Sequence, residues 1–187
     1  MRIISGIFKG RVLKTGSGPG YRPATGKVRE AVFSMLQGQI VDWSRVQVLD
    51  LFAGSGAVGL EALSRGAGMV LFVENDARAA VILQENLQRL EISVNQGRVA
   101  KKDAVSFLNQ KAKQGFELVF VDPPYGRNLL DQVLPRIIRQ GWLAPQGIVC
   151  AEVESRLEVN PEIYSGLKLI KDKYYGQTRI LMWQKKN

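Results

Sequence analysis

The chain has no histidine and a single cysteine, Cys150. Without an imidazole there is no side chain that titrates near neutrality unperturbed, so histidine-based acid–base catalysis is excluded. Zinc and most transition-metal sites draw on histidine or on several cysteines, and no metal centre is expected here. One cysteine forms no intrachain disulfide. Cys150 sits in the apolar run Gly147-Ile148-Val149-Cys150-Ala151 and reads as a reduced core residue. No apolar stretch approaches the length of a membrane span, and no signal-peptide pattern opens the chain. A cytoplasmic location, with no membrane partner, is the expectation. There is also no internal repeat, no low-complexity tract and no linker dividing the core.

Acidic residues are few: 17, against 26 lysines and arginines, for a net charge of +9 over 187 residues. Such an excess favours polyanions through phosphate neutralisation and counterion release. Arg2, Lys9, Arg11, Lys14, Arg22, Lys27 and Arg29 all precede the first acid, Glu30. The stretch 168–186 is basic too, with Asp172 its only acid. A solubilising surface would give the same total, so charge alone does not decide for nucleic acid.

What is present is a pair of apolar runs that end in acids. Residues 116–121, Phe-Glu-Leu-Val-Phe-Val, lead directly into Asp122-Pro123-Pro124-Tyr125. Both prolines remove a backbone N–H, and Pro124 keeps Pro123 out of helical dihedrals. The chain therefore leaves the strand extended and stiff, with a carboxylate, two carbonyls and an aromatic ring at its carboxyl end. A flat molecule carrying an N–H to be accepted and a π-face to be covered suits that construction, and the exocyclic amine of a nucleobase meets both needs. A plain strand-ending turn would use Pro-Pro as well.

Earlier in the chain, residues 46–51 read as a buried strand and 57–64 as a helix. The turn between them has the G-x-G-x-x-G spacing at Gly54, Gly56 and Gly59. Glycines there allow close backbone approach to a ligand and tight helix–sheet packing. Residues 69–74 form another apolar run, ending in Glu74, near the spacing expected of a ribose-binding carboxylate. Asp50 stands directly before the turn and would repel a pyrophosphate. A cationic ligand such as the amino-acid end of S-adenosylmethionine fits better, and methyl transfer needs neither histidine nor metal.

Around these motifs the pattern alternates strand and helix, which predicts a sheet wound with helices on both faces. Residues 2–13 read as a hairpin of two short strands, followed by a glycine-rich loop at 16–20. Thr25 is placed to cap a helix over 27–38. Further helices are expected at 76–90, 104–108 and 129–140, with strands at 97–100, 147–154, 167–174 and 177–184. Residues 1–25 are expected to form a basic arm and 26–187 the catalytic domain.

The quoted motifs, taken together, resemble the RsmD family of bacterial 16S rRNA guanine-N2 methyltransferases, within the class I S-adenosylmethionine-dependent enzymes. The resemblance runs from Arg2-Ile3-Ile4-Ser5-Gly6 and Lys9-Gly10-Arg11 through Arg22-Pro23-Ala24-Thr25 and Val28-Arg29-Glu30. It continues with Asp50-Leu51-Phe52-Ala53-Gly54-Ser55-Gly56 and Asp122-Pro123-Pro124-Tyr125, and closes on Tyr175-Gly176-Gln177-Thr178. It implies an α/β, doubly wound, Rossmann-like sheet of seven mostly parallel strands with an antiparallel C-terminal strand. It implies S-adenosylmethionine held by Asp50, Phe52, Ala53, Gly54, Ser55, Gly56, Glu74, Asn75, Asp103 and Asp122. Asp103 would accept the adenine amine, and it is equally placed to cap the helix that follows it. Catalysis would fall to Asp122, Pro123, Pro124 and Tyr125, and RNA contact to Arg2, Lys9, Arg11, Arg22 and Arg29. The partner would be 16S rRNA or the small ribosomal subunit, met by a monomer. A DNA adenine-N6 methyltransferase, a protein-glutamine methyltransferase and a non-catalytic nucleic-acid-binding module remain the alternatives.

Overall fold

Residues 1–16, 26–159 and 164–186 are described in the structure, a computed structural model. Arg22, Thr25 and most of the glycine-rich loop lie outside the described residues. Seven strands, β1 (Gln47–Leu51), β2 (Met69–Glu74), β3 (Gly97–Lys101), β4 (Phe116–Val121), β5 (Leu143–Glu154), β6 (Leu167–Tyr175) and β7 (Thr178–Lys185), form one sheet in the order β3-β2-β1-β4-β5-β7-β6. Strands β1 to β5 pair in parallel, and β7 runs antiparallel to both β5 and β6. Among the described residues five α-helices accompany them: α1 (Gly26–Gln37), α2 (Ala57–Ser64), α3 (Ala77–Arg89), α4 (Ala104–Leu108) and α5 (Leu129–Arg139).

The central strands are apolar on both sides because both sides are covered. Val48, Leu118, Phe120 and Cys150 face a core built with α1, α2 and α3. Leu49, Leu51, Val119 and Val121 face a second core, made with α4 and α5. Side chains alternate across a strand, so one buried run supplies both layers. Among the described residues no helix is long and apolar enough to cross a membrane.

The N-terminal segment departs from expectation. Instead of two paired strands there is one isolated antiparallel bridge, Arg2 to Val12. Helix α2 takes the hydrogen bonds that a ladder would have used. Glu61 accepts from the backbone N–H of Ile4 at 2.7 Å and of Ser5 at 3.0 Å. The Ser64 carbonyl accepts from Ile7 at 2.8 Å, and its hydroxyl accepts from Phe8 at 3.0 Å. Gly6 permits this docking: a Cβ there would stand 1.7 Å from the Ser64 carbonyl oxygen. Ile3 and Leu13 then bury their side chains in the same core as α1 and α2.

Glu61 is wholly buried, and Arg65 Nε also donates to it at 2.9 Å. Removing one partner of a buried charged network leaves the others uncompensated, at about 3–5 kcal/mol. Glu61→Ala is therefore expected to lose stability of that order in denaturant titration and to expose residues 1–14 to protease under native conditions. A variant of unchanged stability with a protected N-terminus would show that the carboxylate does not hold the arm.

Candidate active site

Strands β1 and β4 lie side by side at the centre of the sheet, with Asp50 opposite Phe120 and Leu51 opposite Val121. Asp122 is the next residue beyond that ladder. Connections from the two strands leave to opposite faces, and the crevice at their carboxyl ends is where open α/β sheets bind ligands. Asp50, Glu74 and Asp122 all arrive at that edge because each ends, or nearly ends, its strand.

The turn after β1 is built from left-handed backbone at Phe52 (φ 62°), Gly54 (φ 56°) and Gly56 (φ 82°). Two glycines serve packing. A Cβ on Gly56 would stand 2.2 Å from Leu83 Cδ1, and one on Gly59 would stand 2.3 Å from Phe72 Cε1. Gly54 differs: among the described residues, no atom beyond its chain neighbours lies within 4 Å of its would-be Cβ. That is the open backbone a ligand can approach. Its N–H is fixed by Glu74, whose carboxylate accepts from Gly54 and from Asp76, each at 2.7 Å. Ala53 donates to the Val73 carbonyl at 3.1 Å, and the Ser55 carbonyl accepts from Asn86 Nδ2 at 3.0 Å. The turn is thus bolted to β2 and α3.

Asp50 is 2% exposed, and its Oδ2 accepts from Gly59 N–H at 2.9 Å. Burial raises its carboxyl to about 7, against the opposing Gly59 bond and with a further push from the charge of Glu74. It anchors the start of α2. Asn75 and Asp103 are exposed at the ends of β2 and β3. Asp103 caps α4, accepting from Ser106 N–H at 2.8 Å, and Asp76 caps α3 in the same way through Ala79.

In the tetrapeptide, Pro123 is buried while Pro124 and Tyr125 face solvent. Burial first, then the charges of Glu152 and Asp50, push the Asp122 carboxyl well above the ordinary carboxylate range. The Tyr125 hydroxyl lies 3.3 Å from Thr178 Oγ1, and Gly126 N–H donates to Glu154 at 2.6 Å. The Tyr175-Gly176-Gln177-Thr178 turn between β6 and β7 therefore abuts the tetrapeptide.

Arg2, Lys9 and Arg11 are not gathered at this edge. The turn carrying Lys9 packs beside Ser64, at the far end of α2 from Gly56, which an eight-residue helix separates by roughly 12 Å. Arg2 and Arg11 are exposed, bonded to the carbonyls of Gly10 and Arg89. Arg29 requires a correction. It is 2% exposed and donates to the Arg2 carbonyl at 2.7 Å, so its guanidinium is a strut beneath the arm and not an RNA-facing charge. Two residues at or beside the site, Glu152 and Asn86, were missed in the sequence. Glu152 and Arg29 line a cavity together with Asp122, Val32, Val58 and Cys150. Asn86 joins the Gly-rich turn to the arm through the Lys14 backbone, and its sequence signal was an amide on the apolar face of α3 beside Leu83 and Leu87.

Comparison with known proteins decides the family. The family model described as "Conserved hypothetical protein 95" matches residues 1–184. The "Ribosomal RNA small subunit methyltransferase D" of Escherichia coli strain K12 is 40% identical over 187 residues, covering 99% of this chain and 90% of that one. The chain belongs to the RsmD family of methyltransferases. A solved structure of the Escherichia coli protein yhhF superposes with a TM-score of 0.84 at 39% identity, covering 99% of this chain and 97% of that one. Magnesium protoporphyrin IX methyltransferase from Synechocystis, solved with bound SAM, superposes at a TM-score of 0.66 and 12% identity, over 86% of this chain and 79% of that one, and shares the fold. This RsmD-family chain thus has the class I methyltransferase architecture, with β7 as its antiparallel strand.

Two expectations follow from this geometry. Gly54→Val fills the open approach and strains a left-handed residue, so cofactor binding by calorimetry should fall at least tenfold while the protein still folds. Unchanged affinity would place the ligand elsewhere. The folded state also holds a proton on Asp50 more tightly than the unfolded chain, because its value rises from 3.8 to about 7. That stability is fully present below about pH 4 and lost as pH rises through about 7. Asp50→Asn keeps an acceptor for Gly59, and the stability gap between wild type and variant should shift by on the order of 4 kcal/mol across that window. A parallel pair of pH–stability curves would contradict the buried proton.

Proposed function

We propose that this protein transfers a methyl group from S-adenosylmethionine to the N2 amine of a guanine in 16S rRNA. The observation that carries the proposal is a half-buried Asp122, held beside a rigid Pro-Pro exit at the crevice that the Gly54 backbone lines. The crevice fits the cofactor by its chemistry. Gly54 offers approachable backbone, the Glu74 carboxylate at the end of β2 suits a ribose, and Asp50 and Asp122 supply negative charge for an ammonium and a sulfonium. Exposed Asp103 and Asn75 are assigned to the adenine and ribose. When bound, the cofactor supplies an electrophilic methyl carbon.

The chain's own task is to make an amine attack it. The N2 lone pair is delocalised into the guanine ring. Asp122 and the Pro123 carbonyl accept its two hydrogens and turn the lone pair toward the methyl group, so the rate gain is positioning plus preorganised charge. The surroundings that raise the Asp122 proton affinity fit it to receive the proton as positive charge develops on nitrogen. Tyr125, exposed and steadied at Thr178, covers a base withdrawn from its stack. Exposed Tyr174 and Tyr175, with Lys173 on the same strand edge, offer the flanking nucleotides stacking and phosphate contact. Arg2, Lys9 and Arg11 are assigned to more distant phosphates. Arg22, outside the described residues, stays in the proposed RNA-contacting set. The reaction requires no metal, and the protein is proposed to work as a cytoplasmic monomer on rRNA or on the small subunit. The first 25 residues are proposed to serve as arm and loop for the domain formed by residues 26–187.

Labelled methyl transfer to small subunits lacking the modification, with the product nucleoside identified by mass, tests the reading. N2-methylguanosine is expected, reduced at least a hundredfold in Asp122→Ala while cofactor affinity stays within a few-fold. N6-methyladenine as product, or near-normal turnover in the variant, would overturn it.

A further inference from the structure

A second carboxylate stands beside the catalytic one, and methyl transfer as derived above leaves it without a task. Strands β4 and β5 are parallel and in register, Phe120 opposite Cys150 and Val121 opposite Ala151. One step further, Asp122 and Glu152 emerge side by side on the same face of the sheet. Both line the cavity under α1 and α2, with Ile180 of β7 behind Glu152. Glu152 is half-buried and lines the same cavity as Asp122. The proximity is costly, since the charge of Glu152 disfavours ionisation of Asp122.

The donor pattern of the bases supplies a use for it. Guanine carries an N1–H directly beside its exocyclic amine. Adenine and cytosine carry a ring nitrogen lone pair in the corresponding place. Two adjacent acceptors therefore complement guanine, whereas the second acceptor opposes the lone pair of the other two bases. The structure assigns Glu152 as the acceptor for guanine N1–H, a specificity-determining residue that selects the base whose N2 amine Asp122 receives. This assignment rests on the guanine-N2 reading and adds to it the means of base selection.

The test compares rRNA substrates bearing guanine or 2-aminopurine at the target position. 2-Aminopurine keeps the exocyclic amine and lacks N1–H. Its missing O6 affects wild type and variant alike, so that contribution cancels from the ratio of ratios. A site built to hydrogen-bond a donor discriminates strongly against the analogue that lacks it. Wild type should prefer guanine in kcat/KM, and Glu152→Ala should shrink that preference at least tenfold. Glu152→Gln keeps an acceptor and should retain most of it. Cofactor affinity and thermal midpoint, measured on each variant, report whether the fold survives. If Glu152 acts only through its charge on Asp122, both substrates fall together and the preference is unchanged, which overturns the assignment. A wild type that methylates neither substrate would instead sink the guanine-N2 reading.

Discussion

Everything at the candidate site depends on three carboxylates brought to one edge of one sheet face. Asp50 and Asp122 lie on neighbouring strands, and Glu152 on the next strand out. The first two are both pushed toward the protonated state, Asp50 by burial and the charge of Glu74, Asp122 by burial and the charges of Glu152 and Asp50. Such an edge is primed for a positively charged ligand. Arrival of an ammonium and a sulfonium would reverse the electrostatic balance and free the carboxylates to accept hydrogen bonds from an amine. Charge complementarity of this kind needs no histidine, and the chain has none.

The scaffold keeps those charges in place through polar contacts that lie deeper still. Glu61 holds the arm's amides and Arg65, Asn86 ties the Gly-rich turn to Lys14, and Glu74 clamps the turn to β2. Each replaces water for backbone groups that a loop would otherwise bury unsatisfied. The arm is therefore continuous with the core at its base: Lys9 sits at the end of α2 remote from the crevice, while Lys14 is tied through Asn86 to Ser55 of the Gly-rich turn. RNA reaching both Lys9 and the crevice would have to span the length of that helix.

The sheet was largely legible in the sequence because parallel strands buried on both faces read as unbroken apolar runs, and 69–74 and 116–121 coincide with β2 and β4. The acids that end strands were legible for the same reason: Asp50, Glu74 and Asp122 mark where apolar runs stop. The arm misled because short apolar stretches around glycines also describe a segment whose hydrogen bonds go to a helix. Arg29 misled because a cation in a basic stretch gives no hint that its helical face is buried. Glu152 stayed hidden inside what read as an ordinary strand, since its meaning comes from lateral register with β4. Periodicity does not carry register between strands.

The central claim, that the site holds excess protons which a cationic ligand displaces, is tested most directly by proton release on cofactor binding. Calorimetry of S-adenosylmethionine binding would be run at about pH 6.5, where the free ligand's α-amino group is already protonated. Two buffers of different ionisation enthalpy give the number of protons exchanged. The account predicts net release, diminished in Asp50→Asn. Binding with no release, or with proton uptake, would contradict it.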